Sequence, residues 1–388
     1  MGYSAPYLTL FGILIGIAVL QLIVKRDFLQ NVLMLSVMVV FTVFFGFRGF
    51  VETDCIVYYP LFQEIPVFGD GIWKSFSSLH FEPGFLLWTS LLKSINSSYE
   101  FYMVVNTIVD LLLLTVMYNR YFPKRYYAFF VLLYLAFFGI AYEFNLLRNV
   151  KSMLLFCLSL RYVEERKAGK YMLFNLIGML FHWSAVLYML MYFVFRNDLS
   201  QRRYFVLLGI SMVMYIVSPF IIEYGVWLVS LLGGTVGERA TAYLSVQEYA
   251  RTKMFSLGDL DRMLVGLLVG LKFKDLKQLR TENALFLHVY IVYLMFAFCG
   301  HGMEILHTRV ANLFVVGVWV ICLSLVQVER KLIATVLFLY FSFSSMFKVW
   351  SQSDSNQFMQ YDNYLLDDKM ISFEERERYY YTIYPEGK

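Results

Sequence analysis

Long apolar runs recur along the chain, separated by short polar or basic segments. Several approach the ~20 residues a helix needs to cross a bilayer. Their positions place spans at 5–24, 32–47, 100–118, 126–142, 146–163, 203–219, 254–271, 284–302, 308–326 and 331–349. The stretch 171–195 is mostly apolar as well, but both of its flanks are basic. Arg161, Arg166, Lys167 and Lys170 precede it; Arg196, Arg202 and Arg203 follow. Basic flanks favour the cytoplasmic side, so a pair of half-length helices turning near His182 satisfies both. The alternative is a single span, which flips half of the topology. Non-helical backbone at membrane depth survives only under cover of protein or a wet cavity.

The first run begins almost at Met1 without a charged residue and ends at Lys25-Arg26. That lacks the basic start of a cleaved signal peptide, so it reads as a retained span with its N-terminus outside. With the paired half-helices, cytoplasmic segments hold 18 of the 33 Lys+Arg and only seven of the 29 acids. Three large segments then fall outside. Residues 48–98 contain an amphipathic stretch over 81–95. Residues 220–253 contain a break at Gly233-Gly234. Residues 350–388 form a polar, Tyr-rich tail. The first two read as interface-lying helices; the tail is open to either order or disorder.

Composition sharpens the class. Of 388 residues, 59% are hydrophobic and 16% charged, with a mean hydropathy of +0.60. Soluble domains average about 45–50% apolar and 25% charged, so this is an all-α, polytopic membrane bundle of about ten transmembrane helices plus a re-entrant hairpin. Residues 1–349 read as one membrane domain. The cysteines Cys55, Cys157, Cys299 and Cys322 are scattered and form no metal or disulfide pattern. No phosphate loop, nucleophile elbow, dinucleotide fingerprint or zinc spacing is present. No cofactor, metal or nucleic acid is therefore expected. A site outside the cytoplasm would need a substrate that is already activated.

The chemistry-bearing residues gather at the ends of the runs. Arg48 and Asp54 close the second span. They make either a structural ion pair or a phosphate-facing guanidinium, whose fork fits phosphate oxygens, beside a proton acceptor. Glu82 precedes Pro83-Gly84. It is either a dipole-favoured charge at a helix start or a carboxylate tuned as a base by apolar surroundings. Arg148 and Lys151, at i and i+3, begin a span after a tight turn. Cations there oppose the helix dipole, so an anion bound at that N-terminus or pairing with Glu143 must hold them. His182-Trp183-Ser184 sits at the expected turn of the half-helices, as a hydrogen-bonded core histidine or as a group that takes a proton or holds an oxygen. Asp110 is the one mid-span acid, with Asn106 on its face. It starts a transport pathway or forms a buried hydrogen-bonded pair. His301, His307 and Glu304 flank a further turn near Arg309.

Together these residues resemble the EpsG family, related in role to Wzy-type polysaccharide polymerases. The resemblance rests on Arg48, Thr53, Asp54 and Tyr58; on Glu82, Gly84 and Phe85; on Arg148; on His182 and Ser184; and on Arg309. It covers most of 40–330. It departs at Asn149, where the family usually carries Gln after the arginine. The resemblance implies a GT-C-like membrane glycosyltransferase of the bacterial inner membrane with its active site on the periplasmic or external side. It would polymerise oligosaccharide repeat units carried on undecaprenyl diphosphate. Catalytic roles would fall to Asp54, Glu82 and His182, and diphosphate binding to Arg48, Arg148, Lys151 and Arg309. Tyr58, Glu143 and Ser184 would contact substrate, and Trp73, Trp88 and Trp183 could stack on sugars or anchor the interface. Partners would be the lipid-linked oligosaccharide, membrane lipids, a chain-length regulator and a flippase. The rival readings are an O-antigen ligase-like transferase and a transporter or flippase for lipid-linked sugars.

Overall fold

The computed structural model describes residues 2–69, 79–230, 256–301, 309–367 and 369–385. Among them the regular elements are helices, and a single isolated bridge pairs Arg48 with Asn363. The all-helical reading of the apolar runs is therefore met. Trp73, Gly233-Gly234, Glu304 and His307 lie outside the described residues, as does most of the expected 220–253 loop.

Five helices among the described residues are long and apolar enough to cross a membrane. They are Ala5–Ile23, Asp27–Gly46, Tyr99–Tyr121, Lys124–Phe144 and Lys331–Ser353. The other five expected spans coincide with helices at Leu147–Glu164, Gln201–Ser230, Leu257–Leu271, Asn283–Cys299 and Val316–Val328. Gln201–Ser230 has 30 residues; the other four fall short of that measure. The last three have 15, 17 and 13 residues, and Leu147–Glu164 carries Arg148, Lys151, Arg161 and Glu164.

The chain divides into two units, residues 1–194 with 339–388 and residues 195–338. The first opens with α1 (Ala5–Ile23) and α2 (Asp27–Phe41), which ends in a π-turn over Thr42–Gly46. Two shorter helices follow, α3 (Cys55–Glu64) and α4 (Pro83–Ile95). Pro83 suits the first position of α4, where its missing N–H costs nothing. Ser98 caps α5 (Tyr99–Tyr121) by accepting from Phe101 N at 3.1 Å. All eight residues of α6 (Tyr127–Tyr134) are buried. It passes through a second π-turn, Leu135–Gly139, into α7 (Ile140–Phe144). Both π-turns end in Phe-Phe-Gly, and in the second Phe138 takes φ +80°, which kinks the helix. After a tight turn, α8 (Leu147–Glu164) leads to α9 (Ala168–Met179) and α10 (Ala185–Phe195).

The expected pair of half-length helices is α9 and α10, broken at Leu180–Ser184. They run back along each other. Tyr171, near the start of α9, donates its hydroxyl to Tyr188 O at 2.5 Å, and its ring lies 5.2 Å from that of Tyr192 near the end of α10. The start of α9 and the end of α10, which the basic flanks adjoin in sequence, therefore lie at the same end of the hairpin. The hairpin packs through α9 along α8, where Asn175 Nδ2 donates to Ser159 Oγ at 2.9 Å.

The second unit contains α11 (Gln201–Ser230), α12 (Leu257–Leu271), α13 (Phe273–Leu279), α14 (Asn283–Cys299) and α15 (Val316–Val328). Helices α14 and α15 form its buried centre. A Cβ on Gly317 would stand 2.6 Å from Tyr290 N, so glycine lets these backbones touch. A capping box, Ser256 with Asp259, starts α12.

Helix α16 (Lys331–Ser353), which belongs to the first unit from Leu339 onward, leads into the polar tail, which is an ordered strap. The strap meets the π-turn ending α2, where carbonyls need donors from outside the helix. Asn363 Nδ2 donates to Val43 O at 2.8 Å, the Tyr361 hydroxyl to Phe44 O at 2.8 Å, and Tyr364 N to Phe47 O at 2.8 Å. Arg48 supplies the remaining cap: Nη1 donates to Phe45 O and Nη2 to Glu143 O, at the end of α7. The strap closes with α17 (Phe373–Ile383), which packs on α3.

Arg48 is thus a bolt between two helix ends. Arg48→Met should leave two carbonyls without donors, at roughly 1–3 kcal/mol each. Its melting temperature in detergent and its cellular abundance should both fall. A variant with wild-type melting would contradict this role.

Candidate functional site

The site begins with the hairpin turn. Gly84 N donates to Leu180 O at 2.8 Å and Phe85 N to the same carbonyl at 3.2 Å. Two donors at the start of α4 thereby satisfy a carbonyl of the turn. The approach demands glycine, because a Cβ at position 84 would lie 2.7 Å from Leu180 Cβ and 2.8 Å from its oxygen. This docking carries Glu82 to the turn, where Oε1 accepts from Trp183 N at 3.4 Å.

The other carboxylate oxygen meets Arg148. Arg148 Nη1 lies 2.5 Å from Glu82 Oε2, and Nε donates to the Tyr58 hydroxyl at 3.3 Å. The guanidinium sits over the Phe81 ring, 4.8 Å from its centre. Glu82 is 4% exposed and Arg148 25%, so the acid is sealed behind a cation that still reaches the surface. Burial pushes the Tyr58 phenol up to about 12. It stays protonated at neutral pH while accepting from Arg148, and its own O–H remains a donor.

Two other expected site residues close on the same place. Asp54 begins α3 one turn before Tyr58, whose N–H donates to Asp54 O at 2.9 Å. Asp54 N donates to Asn145 Oδ1 at 3.2 Å. In the turn, His182 Nδ1 accepts from Ser184 N at 3.2 Å and lies 2.7 Å from Ser184 Oγ. A nitrogen accepting a main-chain N–H carries no proton, so the neutral imidazole carries its proton on Nε2. Tyr58, Arg148 and Glu82 therefore meet directly; Asp54 stands one turn before Tyr58, and His182 and Ser184 flank Trp183, which is 63% exposed.

The other expected residues have partners of their own or stand in the second unit. Arg48 is 4% exposed, and its guanidinium donates to the carbonyls of Phe45 and Glu143. Lys151 shares a helix with Arg148 but turns inward. Its Nζ lies 3.1 Å from Asp110 Oδ2, with both side chains at most 4% exposed. That correction has a simple cause: a buried carboxylate in the bundle holds the cation more firmly than a helix N-terminus that repels it. Asp110, the starting point of a transport reading, is closed by the same pair. Glu143 is 2% exposed and accepts from the Tyr134 hydroxyl at 2.7 Å, in the bundle interior. Asn106, expected beside Asp110, instead donates to Tyr102 O and accepts from Trp88 Nε1 at 3.0 Å. Arg309 is exposed and belongs to the second unit. Cys55 is the buried first residue of α3; its thiol donates to Glu52 O, and burial pushes it up to about 12.

Three contributors escape a reading of the sequence: the Leu180 carbonyl, Phe81 under Arg148, and Asn145. Phe81 and Asn145 stand beside singled-out residues, but neither type signals chemistry by itself.

The Lys151–Asp110 pair yields a clean test. Lys151→Met alone strands a buried carboxylate, a loss of about 3–5 kcal/mol, and should sharply lower abundance. Lys151→Met with Asp110→Leu removes both charges and should recover folded protein. If the double variant accumulates no better than the single, the pair is not mainly structural.

In the comparison with known families, the EpsG family model matches residues 31–363. No curated protein and no solved structure matches the chain.

Proposed function

The chain belongs to the EpsG family of polysaccharide polymerase-type membrane proteins, and from that premise we propose that it joins oligosaccharide units carried on undecaprenyl diphosphate. The observation that carries the reading is Arg148, held rigidly by Glu82, Tyr58 and Phe81 yet still partly exposed. Such a guanidinium can receive a diphosphate without being reorganised first.

In the proposed reaction a hydroxyl of one lipid-linked unit attacks the anomeric carbon of the chain on another. A carbon–oxygen bond forms there as the bond to the diphosphate oxygen breaks. The electron pair leaves on the diphosphate, and the hydroxyl proton passes to a base. The leaving group needs charge stabilisation more than protonation, and a preorganised cation supplies it. Arg148 takes that role. Both oxygens of Glu82 face donors, Arg148 and the Trp183 N–H, which makes it the group that aims the guanidinium. Asp54, one turn from Tyr58, serves as the base; general-base help is worth roughly 10²–10⁴-fold. His182, with its proton on Nε2, holds an acceptor or ring oxygen, and the Tyr58 hydroxyl donates to the same charge. The bacterial inner membrane, with this end of the bundle outward, is the setting in which such a substrate is presented. A flippase delivering the units and a regulator of chain length are the partners this reaction calls for.

The test is the lipid-linked and surface glycan profile of a deletion strain carrying the wild type or Arg148→Ala. The variant should cut long polymer by about 10²–10³-fold, the usual cost of one preorganised donor, with protein abundance near normal. Single units should accumulate on the outward-facing carrier or cap the surface glycan. Finished long chains stranded on the carrier would point to a ligase, and units trapped on the cytoplasmic side to a flippase. Equal loss of polymer and protein would assign Arg148 a structural role.

A further inference from the structure

The loop bearing Asp54 is fixed to the turn bearing Arg148 at two points. One is the Tyr58–Arg148 hydrogen bond at 3.3 Å. The other is Asn145, whose Oδ1 accepts from Asp54 N at 3.2 Å while its Nδ2 faces Glu52 Oε2 at 3.4 Å. Asp54 and Tyr58 are one turn apart on α3, and Asn145 and Arg148 straddle the start of α8. One such contact leaves a pivot; two, one helical turn apart, fix an orientation.

The local backbone agrees with that function. Glu52 takes φ +65°, a left-handed conformation that is strained for a non-glycine residue and persists only where its surroundings impose it. Here they do. Glu52 N donates to Phe358 O at 2.8 Å, Cys55 Sγ donates to Glu52 O at 3.1 Å, and Asn145 faces the carboxylate. Asn145 suits both contacts, because its amide presents one acceptor and one donor side by side. It is itself anchored at the end of α7, where its N–H donates to Ala141 O at 2.9 Å.

We propose that Asn145 is a positioning residue, an amide clamp that sets the Asp54 carboxylate relative to the Arg148 guanidinium. This rests on the catalytic reading of Asp54 given above. The residue need not touch substrate. It acts by holding base and anion site in register, where a displacement of about 1 Å can cost 10²-fold in rate.

The experiment uses the full chain in lipid nanodiscs, with the purified lipid-linked repeat unit as donor and acceptor, and compares kcat with KM. Asn145→Ala should lower kcat by about 10–100-fold and leave KM within about twofold. Asn145→Gln keeps the amide and should fall between the two; it is the variant measured should Asn145→Ala not accumulate. In an Asp54→Asn background, Asn145→Ala should add no further loss beyond about twofold, because its effect runs through Asp54. A full multiplicative loss in that background overturns the proposal. So does an unchanged kcat, a raised KM at constant kcat, or a Gln variant no better than Ala. Wild-type activity in Asp54→Asn alone would instead remove the catalytic reading of Asp54, and a wild-type protein that makes no polymer would remove the polymerase reading.

Discussion

A main-chain carbonyl left without a donor is costly where water is scarce, and that constraint organises the whole end of the bundle at which the site lies. Three breaks in helical structure create such carbonyls: the π-turn ending α2, the end of α7, and the turn between α9 and α10. Each is closed by a group from a distant part of the chain. Arg48 and the C-terminal strap close the first two. The start of α4 closes the third through Leu180. The last closure brings Glu82 to the hairpin, and Glu82 brings Arg148. The candidate site is built from the same contacts that close these helix breaks.

Three cations, Arg48, Lys151 and Arg148, share this region and find three kinds of partner. Carbonyls take Arg48, and a buried carboxylate takes Lys151. Both are almost fully enclosed. Arg148 is paired as well, yet a quarter of its side chain stays exposed. On the proposed reading, exposure together with a fixed orientation is what fits Arg148, of the three, to receive an anion. The Phe81 face below and the Tyr58 oxygen beside it restrict the guanidinium further, so little ordering would remain to be done on binding.

Much of this was legible in the residues. Apolar runs marked the helices, and basic residues on both sides of 171–195 marked a hairpin, which the Tyr171–Tyr192 contact bears out. Arg148, Glu82 and Tyr58 stand out as polar groups at the ends of apolar runs, and they do meet; His182 stands out likewise and lies in the turn whose Trp183 N–H reaches Glu82. Arg48 and Lys151 drew the same attention and went elsewhere. Their sequence positions are as suggestive as that of Arg148; only the partner decides, and partners such as Phe45 O or Asp110 are tertiary facts. The strap was illegible for a related reason. Its Asn363 and Tyr361 are ordinary tail residues until a π-turn, itself invisible in an apolar run, offers them carbonyls. Asn145 belongs to the same class: an amide becomes a clamp only when two loops face it.

The most direct measurement is an experimental structure of the protein in a nanodisc with an undecaprenyl diphosphate-linked oligosaccharide bound. The account predicts diphosphate oxygens within hydrogen-bond distance of the Arg148 guanidinium, with the Glu82 and Tyr58 contacts retained and the anomeric carbon on the Asp54 side. A diphosphate bound away from Arg148, with the Arg148–Glu82 pair closed and untouched, would contradict it.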